Sequence, residues 1–263
     1  MRLRLPDDTT TPTRAELAQT AEGALYLKGW LLIRLVVGIL GILMPVELIL
    51  GDRLLFPGGP FPRDSLSAYY HSGVHDIFVS TLCITGVFLI TYMALHWNWD
   101  NAITIGAGTA AICVAFFPTS VRHGGTLTPL QEKFGQGLVA HIHFTAAMAF
   151  IGLLAVMSYR FGVREGQRSN PRLRRWHFVC AGIMAAAVAG LILAELLGVH
   201  RIAGLSVLLA VEVICTAAFG ASWLVKGAEI SRTLVRSGFY GEQAKAELSA
   251  PSAAPPAGAV VPG

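Results

Sequence analysis

Six long runs of apolar residues divide this chain, with polar segments between them. The runs cover residues 29–50, 73–95, 102–118, 136–158, 177–198 and 202–225. Each is long enough, or nearly so, to cross a hydrocarbon layer of about 30 Å as an α-helix. A helix satisfies its own backbone polar groups, which lipid cannot do. The pattern therefore predicts an all-α fold, a six-helix transmembrane bundle.

The polar segments at the two ends define three regions. Residues 1–27 predict a cytoplasmic N-terminal leader, 28–227 a six-span transmembrane domain, and 228–263 a cytoplasmic C-terminal tail. The leader lacks the short apolar segment of a cleavable signal peptide, so the first run is expected to remain as a signal anchor. After about residue 247 the tail is rich in Ala, Pro, Gly and Ser and is expected to be disordered.

Composition favours a membrane protein over a soluble one. The 263 residues are 54% hydrophobic and 14% charged, which leaves too little polar surface to solvate a domain of this size. The net charge of +4 comes from loops and tails beside apolar runs, so we expect membrane lipids and no nucleic acid as partners. The cysteines all lie inside runs without CxxC spacing, which predicts neither a disulfide nor a cysteine metal site.

The basic residues predict the orientation. Of the 20 lysines and arginines, 14 lie on one side of the predicted spans and 5 on the other, with Arg34 left inside the first run. The positive-inside rule then places both termini in the cytoplasm of a bacterial plasma membrane, which requires an even number of spans. Arg34 is expected to extend its side chain to the cytoplasmic interface. The arginines between 160 and 175 are expected to fix topology and contact anionic lipid.

Several ionisable residues gather at the outer end in this topology. They are His71, His75 and Asp76 beside the second run, His141 and His143 in the fourth, and Glu47, Glu195 and His200 near other outer ends. Glu212 lies nearer the middle of the membrane, where a carboxylate needs a partner or a proton. The structural alternatives are a solvated helix start for His71 and His75, and bonds between helices for His141 and His143.

Imidazoles beside carboxylates are suited to a zinc site, an acid–base pair or a proton relay. The metal hypothesis uses His71, His143 and His141 as ligands, with Asp76 activating a water and Ser67 assisting. His141 and His143 are separated by about 200° on a helix, so we expect one of them to face the site. His75, Glu195 and Glu212 would complete the polar site. The cofactor is open, with zinc as the candidate.

Three segments carry a resemblance to a group of uncharacterised bacterial multi-pass membrane proteins. They are SLSAYYHSGVHDIFV from residue 65, AFFPT at 115–119 and HIHFTAAMAF at 141–150. The group's pattern is S-x-Y-Y-H, R-D-x-F-V, F-P-T and H-F-x-x-A, with His75 here in place of its arginine. Ser67 and His71 also give a distant similarity to alkaline ceramidases and progestin/adipoQ-type receptors, seven-helix proteins that bind zinc through three histidines. Their late HxxxH pair is missing from the last run.

Three functions remain open from the sequence. The first is a small transporter, proton-coupled protein or sensor, in which Glu195 and Glu212 line a polar path and a small molecule binds from outside. The second is a metal-dependent membrane hydrolase that acts on a lipid or amide. The third is a structural or accessory membrane protein. The sequence does not predict the oligomeric state.

Overall fold

The computed structural model describes residues 21–91, 98–121, 126–167 and 170–236. This part of the chain forms seven α-helices, a 3₁₀ helix and a β-hairpin with two residues in each strand. The α-helices are α1 (Ala21–Leu55), α2 (His75–Thr91), α3 (Trp99–Phe116), α4 (Pro129–Phe134), α5 (Gln136–Gln167), α6 (Pro171–Leu196) and α7 (Val207–Arg236). The 3₁₀ helix is Ser67–His71, and β1 (Arg201–Ile202) pairs antiparallel with β2 (Leu205–Ser206).

The six long helices form a closed ring in chain order. Each packs against its neighbours in sequence, α1 closes the ring against α7, and α5 also contacts α7. Neighbouring helices run in opposite directions, so the ring has two distinct ends. We call the end that carries segment 56–74, α4 and the β-hairpin the hairpin end. The opposite end, where Arg160 and Arg164 lie on α5, is the arginine end.

Glycines allow two of the helix pairs to approach closely. A Cβ atom on Gly108 of α3 would lie 2.4 Å from the carbonyl oxygen of Gly86 on α2. A Cβ on Gly220 of α7 would lie 2.6 Å from the carbonyl oxygen of Gly38 on α1. Small residues at such positions let helix backbones pack directly on each other.

Five helices are long and apolar enough to cross a membrane. These candidate spans are Leu31–Leu55, Trp99–Phe116, Gln136–Glu165, Pro171–Leu196 and Val207–Ala228. Large apolar side chains on the long helices remain exposed, among them Leu43, Val87, Val156 and Ile192. Exposed apolar surface on this scale is suited to lipid and not to water.

The predicted second span, 73–95, corresponds to a shorter helix. The described helix α2 has 17 residues, which extend about 26 Å at 1.5 Å per residue, somewhat less than the hydrocarbon layer. By length and composition the described residues thus give five candidate spans and not six. Residues 92–97, the leader before residue 21 and the tail after residue 236 lie outside the described residues, as does the predicted disorder after 247.

Arg34 does not reach the interface as expected. Its side chain is 2% exposed, and its guanidinium carbon lies 5.3 Å from the ring centroid of Phe161 and 5.9 Å from that of Trp223. The aromatic faces of α5 and α7 stabilise the cation within the bundle. The arginine inside the first apolar run is therefore buried in the bundle, in contact with two aromatic rings.

The arginine end also buries acidic partners for its basic residues. Asp100 at the start of α3 is fully buried and pairs with both Arg160 and Arg164, the latter at 2.5 Å. Lys226 of α7 donates to Glu165 of α5, and both side chains are buried. Two arginines that we expected to contact lipid headgroups thus have a carboxylate within the protein.

Candidate functional site

Segment 56–74 is attached to the hairpin end by an ion pair. Arg63 donates from Nε to Oδ2 of Asp52 at 2.9 Å and from Nη2 to Oδ1 at 3.2 Å. Its backbone N–H donates to the hydroxyl of Tyr69 at 3.4 Å, and the Tyr69 ring is fully buried. The bidentate pair joins the end of α1 to a Pro/Gly-rich segment that has little regular structure of its own.

The same segment contacts Glu212 on α7. The backbone N–H of Leu66 donates to Oε2 of Glu212 at 2.5 Å. The hydroxyls of Ser65 and Ser67 lie 3.0 Å apart, both in buried side chains. A charge-assisted bond of this kind orients the carboxylate toward the inner surface of the segment. Glu212 itself is partly exposed, which means that it borders open space.

Two histidines are held by one short stretch at the end of α3. His71 Nε2 lies 2.8 Å from the carbonyl oxygen of Thr119, and His143 Nδ1 lies 2.5 Å from that of Phe117. Gln131 donates to the Thr119 carbonyl as well, at 2.9 Å. Because a carbonyl can only accept, each of these ring nitrogens carries the proton.

The remaining nitrogen of His143 is therefore an acceptor in the neutral ring. His143 is 2% exposed, and its Nε2 has no hydrogen-bond partner among the described residues. A buried polar atom without a partner is uncommon in folded proteins and requires an explanation.

These elements surround a cavity of about 670 Å³ at the hairpin end. Its polar lining residues are Arg63, Asp64, Ser65, Ser67, His71, Thr119, Ser120, His141, His143, Arg201 and Glu212. Its apolar wall comes from Phe144, Ala147, Met148 and Ile151 of α5, Val188 and Leu191 of α6, and Leu208 and Val211 of α7. A mostly apolar wall with a few polar groups is typical of small-molecule sites, which occupy about 300–1,000 Å³.

Five of the predicted site residues line this one cavity. They are Ser67, His71, His141, His143 and Glu212. His141 is exposed and also lines a shallow groove between α3 and α5, so the two histidines of α5 contribute from different sides of that helix.

Three other predicted residues lie away from the cavity lining. His75 Nδ1 bonds to the carbonyl oxygen of Tyr70 at 2.7 Å. Asp76 is exposed on the first turn of α2. Glu195 is 59% exposed and lies 3.5 Å from His200 in the α6–α7 connection. Asp76 and Glu195 lie on outward faces of α2 and α6, which apolar periodicity could not reveal.

No metal-binding constellation is present among the described residues. They contain no group of three or more His, Cys, Asp or Glu side chains that could hold an ion. Asp76 does not join His71 and His143 at the cavity. The residues present therefore do not fit the three-histidine zinc site that the sequence suggested.

The charged residues at the cavity mouth were not predicted from the sequence. Arg201 of the β-hairpin pairs with Asp64 and also donates to the carbonyl oxygen of Gly204 at 2.9 Å. Arg63 and Asp52 form the second pair of this region. Arg63 and Arg201 were counted only as loop charges, and the partner of Arg201 lies 137 positions away, which leaves no local signal.

Comparison of the chain with protein-family models, with curated proteins and with solved structures finds no match. The resemblance to bacterial multi-pass proteins therefore stays a prediction, and so does the more distant one to ceramidases and progestin/adipoQ-type receptors.

Proposed function

We propose that this chain is a multi-pass membrane protein of the transporter or sensor class, which binds a small amphipathic solute in the cavity at the hairpin end. One observation carries the proposal. Glu212 lies in an apolar helix that is long enough to cross a membrane, and it borders a cavity of about 670 Å³. Ionisable residues within spanning helices usually face a water-filled space and mark the path or site of a ligand.

The lining supports binding in preference to a purely structural role. A structural bundle would fill this volume with side chains, since protein interiors are closely packed. Here α5, α6 and α7 instead leave an open space that apolar side chains line together with Glu212 and His143. A solute with both an apolar body and a polar group matches such a surface.

The proposed topology has six spans, with α2 as the shortest, and both termini in the cytoplasm. The hairpin end then faces the outside of a bacterial plasma membrane. The charge bias supports this orientation, because the basic loop between α5 and α6 belongs on the cytoplasmic side. The cavity would accordingly receive its solute from outside.

The binding test compares two variants that add the same side chain to α5. Ala147→Phe places a ring in the cavity wall, whereas Ala149→Phe lies outside it on the groove face. We expect purified protein in nanodiscs to bind 1-octanol saturably, measured by calorimetry against empty nanodiscs. Ala147→Phe should weaken this binding about tenfold or more through steric exclusion, and Ala149→Phe should not. Non-saturable uptake that is identical in all samples would contradict the proposal.

The topology has a test of its own. Single cysteines are introduced at Ser120, which is exposed at the hairpin end, and at Ser231 in the last turns of α7. A membrane-impermeant maleimide should label the Ser120→Cys variant in intact cells and the Ser231→Cys variant only after permeabilisation. The reverse pattern would invert the orientation, and equal labelling of both in intact cells would contradict it.

A further inference from the structure

We propose further that the solute is an organic cation, an amine with an apolar body, and that Glu212 is its counter-ion. This inference rests on the proposed function, because it names the class of solute for the same cavity. Three properties of the lining point to this class: its charge, the direction of its hydrogen bonds and its shape.

The first property is the charge of the lining. Its two arginines already have acidic partners, since Arg63 pairs with Asp52 and Arg201 pairs with Asp64. Glu212 forms no ion pair with any described residue, and its hydrogen-bond partners are the backbone N–H of Leu66 and the side chain of Ser67. The two ion pairs balance each other, which leaves Glu212 as the acidic side chain of the lining without a cationic partner among the described residues.

The carboxyl group of Glu212 lies in apolar surroundings, where water solvates it poorly. Glu212 lies on α7 beside the apolar side chains of Leu208 and Val211, within a candidate span. Removing a carboxylate from water is costly unless a cation or several donors replace the lost hydration. A solute with a single positive charge supplies the missing partner directly, whereas an anionic solute would add repulsion.

The second property is that the free hydrogen-bonding groups mostly accept. Beside a cation the carboxylate of Glu212 is ionised and accepts only, and His143 Nε2 is an acceptor in the tautomer set by the Phe117 carbonyl. His71 Nε2 donates to the carbonyl oxygen of Thr119, so the Nδ1 of its neutral ring is also an acceptor. An ammonium group has donors and no acceptor, so it matches this set of groups. A carboxylate solute would bring only further acceptors.

The third property is the extent of the apolar wall. Side chains of α5, α6 and α7, such as Phe144, Val188 and Leu208, cover the side of the cavity away from the segment. A volume of about 670 Å³ is far larger than an ammonium ion alone requires. The body of the solute is therefore apolar and comparable in size to the ligands of other such cavities.

Three probes that share one eight-carbon chain separate charge from shape. Octylamine is a cation at neutral pH, 1-octanol is neutral and octanoate is an anion. Binding to the protein in nanodiscs of zwitterionic lipid is measured by calorimetry, with empty nanodiscs subtracted. We expect octylamine to bind about tenfold or more tightly than 1-octanol, and octanoate to bind most weakly.

A matched pair of variants assigns the preference to Glu212. Glu212→Gln removes the charge and keeps an oxygen for the N–H of Leu66, while Glu195→Gln makes the same change at an exposed site at the same end. We expect the ratio of the octylamine and 1-octanol dissociation constants to move toward one in Glu212→Gln only. An unchanged ratio in a folded Glu212→Gln protein would overturn the role of this residue.

The outcomes distinguish the two proposals. If 1-octanol binds saturably and octylamine binds no more tightly, the cation inference fails and the solute-binding function stands. If octanoate binds most tightly, the inference is overturned in the same way. If none of the probes binds saturably, the proposed function itself fails. The ranking on the unmodified chain needs no variant, so it decides the question even if Glu212→Gln does not fold.

Discussion

Lys226 of α7 donates a hydrogen bond from Nζ to Oε1 of Glu165 on α5, and the two side chains are 2% and 1% exposed. A buried ion pair contributes little net stability, but removing one member leaves the other charge buried. We expect Glu165→Gln to lower the free energy of unfolding by about 3–5 kcal/mol. Urea or SDS unfolding of the purified protein measures this change.

The double variant Glu165→Leu with Lys226→Met tests whether the buried charge left without its partner causes this loss. Two apolar side chains of similar volume leave no charge to desolvate, so most of the lost stability should return. A double variant that is as unstable as the single one would show that the pair is required for more than its own charges.

Asp100 joins α3 to α5 through Arg160 and Arg164, with its own side chain fully buried. We expect Asp100→Asn to cost about 1.5–3 kcal/mol, the range for hydrogen bonds to charged groups. Asp64→Asn provides the control, because its partner Arg201 is 56% exposed and an exposed pair contributes about 1 kcal/mol or less. Equal losses in the two variants would contradict the difference in burial.

The contact between α2 and α3 tolerates no side chain at Gly108. Its added Cβ would lie 2.4 Å from the carbonyl oxygen of Gly86, so Gly108→Ala should separate the helices and cost about 1–3 kcal/mol. Gly152 of α5 has no atom within 4 Å of the same position. There Gly152→Ala should be neutral or stabilising by up to about 1 kcal/mol, because alanine favours the helix. Thermal unfolding of both variants compares them.

Burial raises the pKa of Tyr69 above its ordinary value of 10.0. The folded protein then holds this proton more tightly than the unfolded chain does. The corresponding stability is complete below about pH 10 and is lost as the pH rises through the raised pKa. Unfolding free energies from about pH 9 upward should therefore fall less in Tyr69→Phe than in the unmodified chain. Tyr159→Phe, at an exposed position on α5, should leave the decline in place.

The positions of the long helices could be predicted from apolar runs alone, since each run has one dominant physical cause. The run at 136–158 corresponds to part of α5, and the run at 177–198 to part of α6. The length of α2 could not be predicted, because apolar residues continue past Thr91, where the described helix ends.

The site was harder to predict than the helices. Glu212 and His143 could be named because an ionisable residue within an apolar run is conspicuous. Asp76 and Glu195 were named for the same reason, yet the rotation of α2 and α6 exposes them. Arg201 escaped notice because its partner Asp64 belongs to a distant segment. The face of a helix that points inward is determined by packing between helices. A single sequence does not reveal that face when polar and apolar residues occur on several sides of the helix.

The ring closes only through its first and last members, and this has a consequence for biosynthesis. Gly38 of α1 packs on Gly220 of α7, and Arg34 lies beside Trp223. These contacts can form only at the end of synthesis, after every intervening helix has left the ribosomal exit tunnel. Until then the guanidinium of Arg34 on the nascent first helix lacks the indole of Trp223 that packs against it in the folded protein. Chains truncated before Gly220 should consequently be recognised by membrane quality-control proteases, even though most of their helices are complete.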